Sequence, residues 1–141
     1  MLPTRITDGG LSSSGIVDRH NCTIVAIAVA GRISYKLAYS LGVAVGRRRG
    51  TGFSSGCIIH EARRIGIRSR IVRLPKPGRI TVERFVELHP KGRFYVCATG
   101  HALALIDGVI HDQIIVNPRS RVRLAWHVYP QRKPAKHSEA E

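Results

Sequence analysis

Residues 18–31 read Asp-Arg-His-Asn-Cys-Thr-Ile-Val-Ala-Ile-Ala-Val-Ala-Gly, a polar run that gives way at once to small and apolar residues. A side-chain oxygen of Asp18 or Asn21 can accept a hydrogen bond from a first-turn N–H, and the closing glycine is a natural helix end. The apolar part contains no charged residue, so no face of such a helix favours solvent. The stretch therefore predicts a short helix over residues 22–30, buried on all sides, with Cys22 at its N-terminal mouth.

Cys22 would lie where the partial positive charge of a helix N-terminus favours a thiolate. The alternative is that this cysteine is simply a small buried apolar residue. The other cysteines, Cys57 and Cys97, are far away in sequence, and an odd count without a secretory signal argues against a disulfide framework. No Cys-x-x-Cys or His-x-x-x-His pair occurs, so the sequence predicts neither a metal site nor a cofactor.

A second stretch, from His101 to Asp112, supplies the groups that a nucleophilic cysteine needs. Asp-Gly at residues 107–108, between two apolar runs, predicts a two-residue hairpin turn. That register places Asp112 opposite Leu103, on the same face as His101 and diagonal to it. Each residue taken singly is more often structural than catalytic. Together, in this order and on these elements, they favour a Cys-His-Asp triad, in which the acid orients an imidazole that takes the thiol proton.

This layout resembles the papain-like cysteine peptidases. Two strings carry the resemblance: Asn-Cys-Thr-Ile-Val-Ala-Ile-Ala at residues 21–28 and Gly-His-Ala-Leu-Ala-Leu-Ile-Asp-Gly at residues 100–108. They look like the cysteine and histidine blocks of small papain-like folds, including the bacteriocin-processing peptidases, and similar small proteins occur in tailed-phage genomes. The resemblance spans roughly residues 18–116. It implies a papain-like α+β fold and a peptidase or amidase with Cys22, His101 and Asp112 as catalytic residues, located in a host cytoplasm or a virion.

The chain departs from the papain-like pattern at one position. Such enzymes usually carry a glutamine about six residues before the cysteine as an oxyanion donor, whereas this chain has Ile16 there and no glutamine before Gln113. The oxyanion would then be stabilised by the backbone N–H of Cys22, with Asn21 and His20 as candidate donors.

The charge balance favours a second kind of partner. The chain has 23 Lys and Arg against 9 Asp and Glu, for a net charge of +14, and such a surface attracts polyanions such as nucleic acid. The alternative is a solvated basic face without a partner. The candidate anion-binding residues are clustered arginines: Arg47, Arg48, Arg49, Arg63, Arg64, Arg68 and Arg70.

Three functions therefore remain open. The first is a cysteine hydrolase acting on peptide, amide or isopeptide bonds in a peptide or protein substrate. The second is a catalytically weak or inactive papain-like scaffold that binds nucleic acid non-specifically or serves as a virion structural protein. The third is an acyl- or glycyl-type transferase that uses the same thiol.

The order of elements, helices first and an antiparallel sheet later, predicts an α+β fold. Residues 1–17, rich in Gly, Ser and Thr, indicate a flexible arm with little regular structure, followed by one domain over residues 18–129 and a disordered polar tail over residues 130–141. The N-terminus lacks the apolar core of a signal peptide, which predicts a cytoplasmic protein. No apolar run reaches transmembrane length, so no membrane partner is expected.

Local signals add further expectations. Ser34 and Thr81 are predicted helix N-caps, and Ser54 or Ser55 is predicted to cap a helix that ends at Gly66. Alternating apolar and basic residues over 67–74 predict a half-buried strand.

Overall fold

The computed structural model describes residues 2–50, 56–76 and 78–130. The predicted cap at Ser54 or Ser55, the side chain of Cys57 and the predicted tail beyond Pro130 lie outside the described residues.

The described residues form an α+β fold with a six-stranded mixed sheet. The strand order is β1-β5-β4-β3-β6-β2, and every neighbouring pair is antiparallel except β1 and β5. The predicted antiparallel sheet is therefore wrong at this one edge. In chain order the elements are β1 (Thr4–Ile6), α1 (Leu11–Ser14), α2 (Cys22–Gly31), α3 (Tyr35–Ala44), α4 (Gly56–Glu61), a 3-10 helix (Ala62–Ile65), β2 (Arg68–Ile71), α5 (Val82–Leu88), β3 (Arg93–Ala98), β4 (His101–Ile106), β5 (Val109–Asp112) and β6 (Val122–Tyr129).

The N-terminal arm contains regular structure, contrary to the prediction of an irregular segment. β1 extends the sheet by pairing with β5, and α1 follows it. Gly9, at a φ of 68°, approaches α2 so closely that an added Cβ would lie 3.1 Å from Cα of Val25. The sequence did not predict these features because strand pairing and close helix packing are long-range contacts, and they leave no periodic pattern in a three-residue strand.

The helix predicted from the opening stretch is confirmed as α2, which ends one residue later than expected, at Gly31. Eight of its ten residues are buried, as the absence of any polar face requires. It packs between the sheet, chiefly β4, and helix α3. α2 belongs to the core on one face of the sheet. A second core lies on the opposite face, where Val82 and Phe85 of α5 pack against Phe94 of β3.

The predicted hairpin register is also confirmed. Asp107 and Gly108 both have positive φ, 47° and 80°, as a type I′ turn requires. Ala104 pairs with His111, as predicted.

Most of the other local expectations agree with the structure. The Ser34 and Thr81 hydroxyls accept hydrogen bonds from first-turn N–H groups at 3.1 Å each. Gly66 is a helix end in the left-handed conformation, as predicted, but the single helix expected before it is α4 followed by a 3-10 helix. The strand predicted to be half-buried is shorter than expected and mostly exposed, because β2 is the last strand at its edge of the sheet. Among the described residues, no helix has both the length and the apolar character to cross a membrane.

Candidate active site

Cys22 is the first residue of α2, and its thiol is half-buried and free of any disulfide. Hydrogen bonding with the imidazole of His101 and with the backbone of Ala102 acts on the pKa of the thiol. Both partners belong to the start of β4. β5 ends at Asp112, which lies opposite Leu103 when the hairpin register is continued. His101 and Ala102 of β4 therefore extend past the end of β5 toward α2.

The imidazole of His101 connects the thiol to the acid. Its Nε2 atom lies 2.6 Å from Oδ2 of Asp112, whose side chain is 2% exposed. Nε2 faces the carboxylate, so Nδ1 is the ring nitrogen left for the thiol. The second carboxylate oxygen, Oδ1, accepts a hydrogen bond of 2.7 Å from the N–H of Gln113. The diagonal contact predicted between His101 and Asp112 is therefore confirmed, and the structure brings all three predicted residues together.

The electrostatics of the site favour a charged thiol. Burial by itself raises the pKa of Cys22, but the hydrogen bonds to His101 and to the Ala102 N–H outweigh it, and the pKa of the thiol is lowered. For His101, the hydrogen bonds to Asp112 and then to Cys22 outweigh the opposing effect of burial and raise the pKa to about 10. A lowered pKa of the thiol beside a raised pKa of the imidazole favours the thiolate–imidazolium pair over the neutral pair.

A buried ion pair supports the residues that lead into α2. Asp18 and Arg47 are joined at 3.0 Å, with side chains 0% and 1% exposed. Asp18 also accepts hydrogen bonds from the Tyr35 hydroxyl and, at 2.7 Å, from the N–H of Gly50. Burial raises the pKa of Asp18, but its hydrogen bonds to Arg47, Tyr35 and the backbone prevail and lower it. The carboxylate is therefore charged, and it holds three separate parts of the chain together.

The same network reaches the residue before the cysteine. Asn21 is buried, and its Nδ2 donates to the Tyr35 hydroxyl at 3.0 Å. Asn21 occupies the N-cap position of α2 but makes no side-chain capping bond, so the predicted cap at Asn21 or Asp18 is wrong. The side chain of Asn21 bonds to the distant Tyr35 instead of to a first-turn N–H of its own helix. His20 is exposed and has a φ of 48°, which makes a sharp turn just before the helix. The roles of Asn21 and His20 as oxyanion donors stay predictions.

Sequence reasoning missed Ala102, Tyr35 and the role of Asp18 as the acceptor of a buried network. Ala102 contributes a backbone N–H, for which no sequence signal exists. For Tyr35 and Asp18 the only signal was that polar residues flank an apolar helix, and this does not specify their partners.

Not all of the seven predicted anion-binding arginines lie on the surface. The prediction that Arg47 binds an anion at the surface is wrong, because this residue is buried. Its guanidinium donates to Asp18 and, at 3.1 Å, to the carbonyl of Arg19. Its position in a run of three arginines suggested exposure, whereas burial is set by the packing of α3 against the loop before α2. The other six side chains are exposed: Arg48, Arg49, Arg63, Arg64, Arg68 and Arg70. Of these, Arg64 also pairs with Glu61 at 3.3 Å.

Comparison with known proteins adds no relative: no protein-family model matches the chain, and no curated protein or solved structure matches it either. Within residues 2–50, 56–76 and 78–130, no group of three or more His, Cys, Asp or Glu side chains has an arrangement that could hold a metal ion.

Proposed function

We propose that this protein is a cysteine-dependent hydrolase with a papain-like arrangement, in which Cys22 is the nucleophile, His101 the general acid and base, and Asp112 the residue that orients His101. One observation carries the proposal. A thiol at the N-terminus of a buried helix is coupled through hydrogen bonding to an imidazole, and Nε2 of that imidazole lies 2.6 Å from a buried carboxylate. The substrate class that this chemistry suits is an acyl compound with a nitrogen leaving group, hence a peptide, amide or isopeptide bond.

The reaction begins with attack of the Cys22 thiolate on the substrate carbonyl carbon, which forms a C–S bond and places negative charge on the carbonyl oxygen. The first N–H groups of a helix have no intrahelical acceptor, so the N–H of Cys22 can donate to this oxyanion. The His101 imidazolium then gives its proton to the leaving nitrogen as the C–N bond breaks. The products of this step are a free amine and a thioester on Cys22.

Hydrolysis of the thioester uses the same groups in reverse. Neutral His101 takes a proton from water, and the resulting hydroxide attacks the thioester carbonyl. The C–S bond breaks, the carboxylic acid product leaves, and the thiolate–imidazolium pair is restored. Asp112 stays ionised throughout and stabilises the imidazolium each time it forms.

The order of the three residues and their supporting elements favour the papain-like interpretation over an unrelated cysteine site. The nucleophile begins the central helix, and the histidine and the acid follow on adjacent antiparallel strands. His101 is 21% exposed, so a substrate can approach the pair from solvent. Ile16 still takes the place of the usual glutamine, which leaves the oxyanion donors with the helix N-terminus.

The first test measures alkylation of Cys22 by iodoacetamide as a function of pH, resolved by peptide mass spectrometry on the folded protein. Because the pKa of Cys22 is lowered, its alkylation should persist as the pH falls below the ordinary thiol range. His101→Ala removes the hydrogen bond that lowers this pKa, so the profile should move to higher pH. Cys97 is buried and serves as the internal control. Equal reactivity of Cys22 and Cys97 would contradict the proposal.

The second test measures turnover with a library of fluorogenic peptides and isopeptides. Cys22→Ala should abolish turnover with the fold retained, and His101→Ala should lower it by about 10² to 10⁴-fold. Asp112→Asn should reduce the rate as well, because a neutral amide cannot stabilise the imidazolium. A rate that survives Cys22→Ala would exclude the mechanism.

A further inference from the structure

Four aromatic side chains, those of His89, Phe94, His127 and Tyr129, form a row along one face of the sheet, away from the candidate active site. This row is called the ring ladder, or ladder. His89 lies 5.0 Å from Phe94 between ring centroids, Phe94 lies 4.8 Å from His127 with the rings stacked, and His127 lies 4.4 Å from Tyr129. Tyr129 is at the outer end of the ladder and is 38% exposed. Its hydroxyl lies 3.1 Å from Nδ1 of His127, which fixes the orientation of the tyrosine ring.

Two arginines flank the exposed end of this ladder. Arg68 pairs with Tyr129 across β2 and β6, and Arg70 pairs with His127, so each arginine shares a sheet face with a ring. β2 is the last strand at this edge, and both arginine side chains are exposed. Within the described residues neither of them forms an ion pair with a carboxylate.

The charge of this edge has one sign. Residues 62–82 and 113–130, which supply β2, β6 and the loops beside them, contain ten Arg and Lys and no Asp or Glu. An open groove of about 320 Å³ is lined by Lys76 and Arg79 of the loop after β2 and by Arg84 of α5, which pairs with Glu87 at 3.0 Å. An edge strand needs only a few charges to prevent strand pairing with another chain, and this edge carries many more.

The imidazoles of the ladder are neutral near pH 7. Burial and the nearby His127 lower the pKa of His89, and burial and Arg70 lower the pKa of His127. The ladder therefore presents uncharged rings, suited to stacking, beside permanently charged guanidinium groups.

We propose that this edge binds single-stranded nucleic acid, with a base stacked on the open face of Tyr129 and phosphates held by Arg68 and Arg70. An exposed aromatic ring with guanidinium groups on the same face combines a stacking platform with charge for the backbone, which is how single strands are bound without sequence preference. A duplex cannot use the platform, because its bases are already stacked on each other. The proposal is independent of the hydrolase function, since it involves neither Cys22 nor its partners.

Fluorescence anisotropy with a labelled oligo-dT of about twenty nucleotides tests the stacking part. Tyr129→Ala should weaken binding at least about fivefold, the effect of losing one stacked base. Tyr129→Phe keeps the ring and should bind within about twofold of the wild type. The rate of Cys22 alkylation provides a check that each variant remains folded.

The salt dependence of the same binding tests the phosphate contacts. Arg68→Gln and Arg70→Gln should each reduce the slope of log K against log salt by about 0.7, the value for one phosphate contact on a single strand. Arg5→Gln is the matched control, because Arg5 is an exposed arginine on β1 at the opposite edge of the sheet. It should leave the slope unchanged.

Four results would overturn the proposal. The first is no binding of oligo-dT at low salt, and the second is binding of Tyr129→Ala as tight as that of the wild type. The third is binding of a duplex of the same length as tight as that of the single strand. The fourth is a reduction of the slope by Arg5→Gln as large as that by Arg70→Gln, which would show that the attraction comes from net charge alone.

Discussion

At the scale of single residues, the carboxylate of Asp18 decides how the chain enters helix α2. It is buried, it pairs with Arg47, and it accepts a hydrogen bond from the Tyr35 hydroxyl, which in turn accepts one from Asn21. A buried ion pair is tolerated only when both charges are satisfied, and removal of one partner leaves the other uncompensated. The side chains that precede Cys22 are therefore held by groups from α3 and from the loop after it.

Tyr35→Phe tests whether this network also tunes the thiol. The ring keeps its packing, but Asn21 and Asp18 lose the hydroxyl that joins them. We expect a loss of stability of about 1–2 kcal/mol in urea unfolding and a several-fold slower alkylation of Cys22 near pH 7. Tyr39→Phe removes a hydroxyl one turn later on α3 and is the matched control. If stability falls while alkylation is unchanged, the network supports the fold and not the thiol.

At the scale of elements, the candidate site is built from α2, β4 and β5, and β1 supports it by pairing with β5. Ile6 of β1 pairs with Asp112, and the N–H of Thr7 donates to the Asp112 carbonyl at 2.8 Å. β1 thus fixes the main chain of the residue whose side chain orients His101. A short edge strand at the N-terminus has become part of the support for the site.

Thr7→Pro tests this support by removing the N–H that donates to Asp112. It leaves a buried carbonyl without its partner, so unfolding free energy should fall by about 1–3 kcal/mol in urea titration. Ile6→Pro is the control, because N–H groups alternate along a strand and that of Ile6 points away from β5 at the edge, where proline is tolerated. Thr7→Val separates the hydroxyl, which accepts a bond from Gly9, from the N–H. Equal losses for both proline variants would contradict the assignment.

At the scale of the whole molecule, charge opposes folding while the two cores favour it. The net charge of +14 is carried mainly by exposed arginines, and like charges repel more strongly when the chain is compact. The buried pair between Asp18 and Arg47 is screened much less by salt than these exposed charges are. The dependence of stability on ionic strength should therefore be set by the exposed charges and not by the buried pair.

Raising sodium chloride from about 0.05 M to about 0.5 M should increase the melting temperature, because screening reduces this repulsion. Differential scanning calorimetry measures the change. The double variant Arg68→Gln, Arg70→Gln lowers the charge of one edge and should show a smaller increase. A melting temperature that falls with added salt would mean that favourable ion pairs outweigh the repulsion.

The sequence by itself determined the features that depend on neighbouring residues. An apolar run after a polar one specified α2, because no face of that helix could remain in water. The Asp107–Gly108 turn specified the register of its hairpin, because both positions need positive φ, and this register predicted the contact between His101 and Asp112. Ser34 and Thr81 acted as caps because their partners are only three residues away.

Only the tertiary structure decided the features that depend on distant residues. It placed β1 beside β5 and so made the sheet mixed, and it buried Arg47 against Asp18 although the sequence suggested an exposed basic loop. It also diverted Asn21 from a helix cap to Tyr35, and it brought the N–H of Ala102 to Cys22. The physical reason is that burial and long-range hydrogen bonds are set by which surfaces pack together, and a charged or polar side chain carries no local signal of the partner it will meet.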